Sequence, residues 1–238
     1  MLLKPAIALK DGRLTDAAGT PAAGDVLQLA AAWTAAGAGR LHITDRDVGN
    51  AGKRAGVEVI RELVRTHSGV PVQVAGDFRS EDDVERYLGA GVEYVLLEMR
   101  AAGTPHLVSD LCFAYPGHIL MSLESRAGKP VPGGGSRAAR RPLAESARRF
   151  QQEGVAAILF HAAADAAGRY DHAPALELAA LVAIPVLASA GLVTPVDVAE
   201  FCGAAEGLAG AVLEPAYPVE PRGFAALLQA AERVAGPE

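Results

Sequence analysis

Short apolar runs alternate with amphipathic stretches along the whole chain. Eight runs read as strands: residues 3–9, GRLHITD (39–45), VPVQVAG (70–76), VEYVLLE (92–98), HILMSLE (118–124), VAAILFH (155–161), IPVLASA (184–190) and GLAGAVLE (207–214). Continuous apolar strands of this kind belong to a parallel sheet whose outer side is covered by helices. Between them lie helical patterns such as AGDVLQLAAAWTAAGA, RAGVEVIRELVRTH, EDDVERYLGAG and PLAESARRFQQEG. Ser80 with Asp83 gives a capping-box pattern before VERYL, and Thr194-Pro195 places an N-cap and an N1 proline before VDVAEF. Strict alternation over 238 residues predicts an α/β fold: one (β/α)8 barrel domain spanning residues 1–238. A doubly wound open sheet is the alternative, and it lacks a GxGxxG after the first strand.

The chain also echoes itself. VPVQVAGDFRSEDDVERYLGAGVEYVLLE parallels IPVLASAGLVTPVDVAEFCGAAEGLAGAVLE, each running strand, Ala-Gly turn, capped helix, strand and terminal Glu. Ala75-Gly76 corresponds to Ala190-Gly191, and Glu98 to Glu214, which points to a twofold half-barrel repeat.

Composition narrows the function classes. The net charge of −6 argues against a nucleic-acid partner, which needs a basic face. Two cysteines, Cys112 and Cys202, exclude a disulfide framework and a Cys-rich zinc site. No apolar stretch approaches the roughly 20 residues that span a bilayer, and the N-terminal run is too short for a signal peptide, so a cytoplasmic protein is expected. The segment 127–141, AGKPVPGGGSRAARR, reads either as a connector or as a mobile basic lid. Trp33, Phe78, Tyr87, Tyr94, Phe113 and Phe150 read as core residues, and Tyr170 sits in a turn near the expected mouth.

The pieces PAIALKDGR, GRLHITD, VPVQVAGDFRSEDDVERYLGAGVEYVLL and ASAGLVTPVDV…GAVLE resemble the HisA/HisF histidine-biosynthesis barrels, in order over nearly the whole chain. HisA is the nearer in pattern, through LH.TD and VPVQV.G..RSEDDV. The resemblance implies a ligand with a phosphate at each end, an Amadori aldose–ketose isomerisation (HisA) or an ammonia-fed cyclisation (HisF), and no cofactor. It also implies carboxylates ending strands one and five, because opening a ribose ring and shifting a double bond needs a proton donor and a proton acceptor. Two Gly-rich phosphate cradles complete the pattern, since backbone N–H groups must approach the anion without an intervening Cβ.

Carried onto this chain, the pattern is changed at its working positions. The strand-one Asp falls on Ala8 and the strand-five Asp on Glu124. The cradles become Gly76-Asp77 with Arg79 and Ser80, Glu98 after strand four, Ser189-Ala190-Gly191 after strand seven, and Glu214 after strand eight. The Asp-Gly-Thr signature after strand six is unrecognisable in HAAADAAGRYDH. A carboxylate about 4 Å from a phosphate charge costs roughly 4 kcal/mol at an effective dielectric near 20, or about three decades of affinity. The expectation is a HisA-like barrel with its isomerase activity lost or altered.

Candidate catalytic residues are therefore Glu124, Asp45 and His161, with Asp11 or Asp45 standing in for the missing acid. Candidate ligand-binding residues are Gly76, Asp77, Arg79, Ser80, Glu98, Ser189, Gly191 and Glu214. Three readings of the mouth stay open beside retained isomerase chemistry. One is a ring of acids paired with arginines (Asp45-Arg46, Asp77 with Arg79, Glu98 with Arg100, Glu124 with Arg126). Another is a site for a cationic or amine-bearing small molecule at the C-terminal mouth. The last is a metal held by His161 with Glu124 or Asp77, for which no ligand spacing is diagnostic. The resemblance further allows a repurposed barrel, for instance in pterin-type one-carbon metabolism, or one that docks a protein partner as HisF docks its glutaminase.

Overall fold

A computed structural model describes residues 2–16, 18–50, 54–67, 69–126, 129–130, 141–162, 171–190, 194–213 and 220–235. Eight parallel strands alternate with eight helices: β1 (Leu2–Lys10), α1 (Val26–Ala35), β2 (Leu41–Asp45), α2 (Ala55–Thr66), β3 (Val72–Gly76), α3 (Glu81–Leu88), β4 (Tyr94–Leu97) and α4 (Leu107–Ala114) form the first half. The second half is β5 (Ile119–Arg126), α5 (Leu143–Glu153), β6 (Ala157–Ala162), α6 (Ala173–Leu181), β7 (Val186–Ala190), α7 (Pro195–Ala204), β8 (Gly210–Leu213) and α8 (Pro221–Ala235). Each strand pairs with the next, and β8 returns to β1 with Leu3 opposite Ala211 and Lys4 opposite Val212. That closing ladder makes a (β/α)8 barrel and excludes the open sheet. Two short antiparallel strands, Arg13–Thr15 on β1 and Lys129–Pro130 on β5, were not predicted from the sequence.

Closure divides every strand's side chains between two cores, because successive residues point to opposite faces. Ile7, Leu9, Ile43, Val74, Val95, Met121 and Phe160 face outward into the layer that the helices cover. Ala6, Leu96, Leu120, Leu159, Leu187 and Val212 face inward and fill the barrel. The predicted caps are in place. Thr194 and Asp197 form a reciprocal capping box ahead of α7, with the Thr194 N–H donating at 2.8 Å and the Asp197 N–H returning at 3.2 Å. Ser80 accepts from the Asp83 N–H at 3.2 Å at the start of α3. Trp33, Phe78, Tyr87 and Phe150 are buried as expected, but Phe113 is 90% exposed because α4 turns that position away from the sheet.

The inner core is not wholly apolar. Lys4, on the inward face of β1, is 1% exposed, and its Nζ donates to Gln73 Oε1 at 2.8 Å. Gln73 Nε2 lies 2.9 Å from His42 Nδ1, and both residues are buried. Among the described residues no carboxylate pairs with Lys4; its charged neighbour is Arg40, which stacks on Tyr94 at 4.3 Å. Burial, with Arg40 adding, lowers the Lys4 ammonium to about 7, and burial lowers His42 to about 3.

The sign of the linkage follows. Between about 7 and the ordinary lysine value the unfolded chain binds a proton that the folded chain does not, so stability rises with pH across that window. Below it both states are charged, and the folded state carries the full cost. Lys4→Met removes the titrating group, so its stability advantage over wild type should be larger at pH 6 than at pH 9 by about 2 kcal/mol. Urea unfolding at the two pH values measures this, and an advantage equal at both contradicts a buried, destabilised ammonium.

Candidate functional site

The C-terminal ends of the strands form one mouth, and strand alternation decides which predicted residues reach it. Inward positions continue from Ala6 to Ala8 on β1, from His42 to Thr44 on β2, and from Gln73 to Ala75 on β3. Ala8 lies opposite Thr44, and Thr44 opposite Ala75, so this arc of the mouth is small and uncharged. The arc from β3 to β7 is the reverse. Glu124 on β5 lies opposite His161 on β6, and His161 opposite Ser189 on β7. Glu98 follows the last residue of β4, and Asp77 the last of β3.

Charge in this second arc is shared rather than paired off strand by strand. Asp77 Oδ2 accepts from the Arg79 guanidinium and also holds Arg100 Nη1 at 3.6 Å. Arg100 thus joins Asp77, where the sequence suggested a Glu98–Arg100 pair, although it still lies close enough to Glu98 to favour that carboxylate. Glu98 is open to solvent by area. Even so, partial enclosure by the wall, then the charge of Asp77, push its carboxyl above the usual range; Arg100 and His161 oppose that shift, and Glu124 adds to it. Asp77, Glu124 and His161 therefore all lie within the field of Glu98.

Several sequence expectations are corrected here. Asp45 does not reach the mouth: it is an outward residue of β2 with 0% exposure. Its Oδ2 accepts from the Tyr87 hydroxyl at 2.7 Å and its Oδ1 from the Asp47 N–H at 2.9 Å. A Cβ added to Gly56, in the first turn of α2, would overlap the same carboxylate. Asp45 is thus an anchor between β2, α2 and α3, and it is not paired with Arg46. Burial raises its carboxyl above the ordinary range, while the Tyr87 and Asp47 hydrogen bonds pull the other way. Asp11 lies in the turn beyond β1, its N–H held by the Asp47 carboxylate. Gly76 is also outward: a Cβ there would meet the Val48 side chain and come within 2.8 Å of the Asp45 carbonyl oxygen. Its missing side chain admits the loop after β2. The Ser80 hydroxyl is committed to the α3 cap. Gly191, Glu214, Tyr170 and most of the 127–141 segment lie outside the described residues, as does the Arg126 side chain. Among the described residues no His, Cys, Asp and Glu cluster has the geometry of a metal site, and no helix is long and apolar enough to cross a membrane.

The histidine biosynthesis protein family matches residues 2–216. The chain belongs to that family. Within it the chain is of HisA type. It is 36% identical over 224 residues to an isomerase of Thioalkalivibrio sulfidiphilus, covering 90% of this chain and 92% of that one. It is 34% identical over 247 residues to an isomerase of Nitrosococcus oceani, covering 99% and 98%, and 35% identical over 229 residues to one of Bordetella avium, covering 90% and 91%. Each of these relatives is named a 1-(5-phosphoribosyl)-5-((5-phosphoribosylamino)methylideneamino) imidazole-4-carboxamide isomerase.

For a HisA-type barrel, the inward ends of β1 and β5 are where the two acids are expected. This chain places Ala8, 3% exposed, at the first and the partly buried Glu124 at the second. Sequence reasoning missed the inner polar residues Lys4, His42, Gln73 and Thr44. The signal was available: each interrupts an apolar run at a position whose parity points inward.

The reassignment of Asp45 carries a test. Asp45→Ala strands the Tyr87 hydroxyl and the Asp47 N–H in the interior and should cost about 2–4 kcal/mol of stability. Tyr87→Phe should cost about 1–2 kcal/mol, and the double variant should fall short of the sum, as coupled partners do. Urea unfolding of the three variants measures this. An Asp45→Ala protein of unchanged stability contradicts the anchoring role.

Proposed function

We propose that this HisA-type barrel no longer isomerises the bisphosphorylated ribotide by the two-acid route, and that its mouth serves a different or altered ligand. The observation that supports this is Ala8. The inward mouth position of β1 carries a methyl group, and Asp45, the acid on the neighbouring strand that could replace it, faces the helices. A positioned proton-transfer group is worth on the order of 10²- to 10⁴-fold in rate, so its absence alone removes most of the turnover.

The charged arc supports the same reading. A phosphate seated near β3 and β4 meets Glu98 and Asp77, and the two arginines that could receive it are both held by Asp77. Glu124 remains on β5 as the single acid in an expected catalytic place, with His161 beside it.

Two measurements test the proposal. Wild type should fail to restore growth of a strain lacking the ribotide isomerase, and growth would refute the reading. Ala8→Asp with Glu98→Gly should raise ribotide turnover by about 10²-fold over wild type. A double variant with no gain shows that these two positions are not what limits the reaction.

A further inference from the structure

The uncharged arc of the mouth stands over the buried polar residues of the barrel, and donor–acceptor chemistry fixes how they are joined. An ammonium has donors only, so Lys4 requires Gln73 to present its oxygen, at 2.8 Å. The amide nitrogen then faces His42 Nδ1 at 2.9 Å and donates to it. A His42 ring that accepts at Nδ1 and stays neutral carries its proton on Nε2. Nε2 lies 3.4 Å from Thr44 Oγ1, a long contact across one inward step of β2. If Nε2 donates there, the Thr44 hydroxyl proton has to point elsewhere. Both lateral neighbours of Thr44, Ala8 and Ala75, end in methyl groups that cannot accept it. Thr44 is only partly buried, so the direction left is the mouth.

We infer that Thr44 is a ligand-binding residue, whose hydroxyl donates to a carboxylate oxygen of the ligand and is oriented from below by Lys4, Gln73 and His42. The inference deepens the reading of an altered ligand, because it needs the position beside Thr44 to hold Ala8 and not an acid that would repel the carboxylate. Lys4 supplies positive charge beneath this arc with no described carboxylate to neutralise it, which favours an anionic oxygen over a neutral one. The three residues below Thr44 are positioning residues; only Thr44 touches the ligand.

The test has two arms. In the first, the His42 ring nitrogens are followed by NMR on the full chain at pH 6, where Lys4, titrating at about 7, is mostly ammonium. A neutral ring with its proton on Nε2 is expected. A neutral ring with its proton on Nδ1 overturns the inference, because Nε2 would then accept from the Thr44 hydroxyl and hold it inward. An imidazolium overturns it too, because Nδ1 could not then accept from Gln73 and the chain from Lys4 would be broken.

In the second arm, acetate is titrated as the probe and the Thr44 methyl signal is followed, with acetamide as the neutral control. Acetate should saturate in the millimolar range and acetamide bind more weakly. Thr44→Val should weaken acetate at least about ten-fold, the cost of one lost hydrogen bond to a charged group, while Thr44→Ser keeps it. Lys4→Met should weaken acetate even though it stabilises the fold, a pairing that a merely structural lysine would not give. A Thr44 signal unmoved by acetate overturns the inference. Ribotide turnover by the wild type would instead refute the reading of lost two-acid chemistry, and would leave the Nε2 and acetate results to be judged separately.

Discussion

Closure of the sheet is the constraint on which everything else in this protein rests. Once β8 pairs with β1 there is no free edge, and each strand must send alternate side chains into a barrel too narrow for more than a few layers. Position along the strand then sets depth, and parity sets the side. A carboxylate one residue from the mouth line belongs to a different environment altogether. Asp45 and Thr44 are neighbours in sequence, yet one is an anchor under the helices and the other lines the mouth.

The same constraint explains how a buried lysine survives. The inward lower positions of β1, β2 and β3 lie side by side on neighbouring strands, and filling them with Lys4, His42 and Gln73 joins three polar groups with two hydrogen bonds. Desolvation of the ammonium is still uncompensated by any described anion, so the group costs stability that an apolar residue would not. The helix-facing core is what tolerates that cost. It is the larger of the two clusters, it is apolar almost throughout, and it does not include these positions.

The fold was legible in the sequence because all eight runs are apolar and the caps at Ser80 and Thr194 are local chemistry. The site was legible only in part. Glu98, Glu124, His161 and Ser189 end strands on the inward parity, and reading them as mouth residues needed nothing beyond alternation. Asp45 was misread because a motif position was followed without counting parity. In LHITD the Asp is out of phase with His42. The pairing of Asp77 with both Arg79 and Arg100 was hidden for another reason: it joins loops after different strands, and no local pattern carries that information.

The division between the two cores also bears on how such a mouth can change. Outward residues set stability through helix packing, while the inward residues at the strand ends contact mainly one another and whatever enters. An acid in place of Ala8, or a glycine in place of Glu98, would therefore leave the packing that forms the barrel untouched. About a third of the chain remains identical to named isomerases across nearly its full length, while the acid expected on β1 is missing. Similarity of that extent establishes the family. The mouth is shaped by the few inward positions at the rim, Ala8 and Glu124 among them.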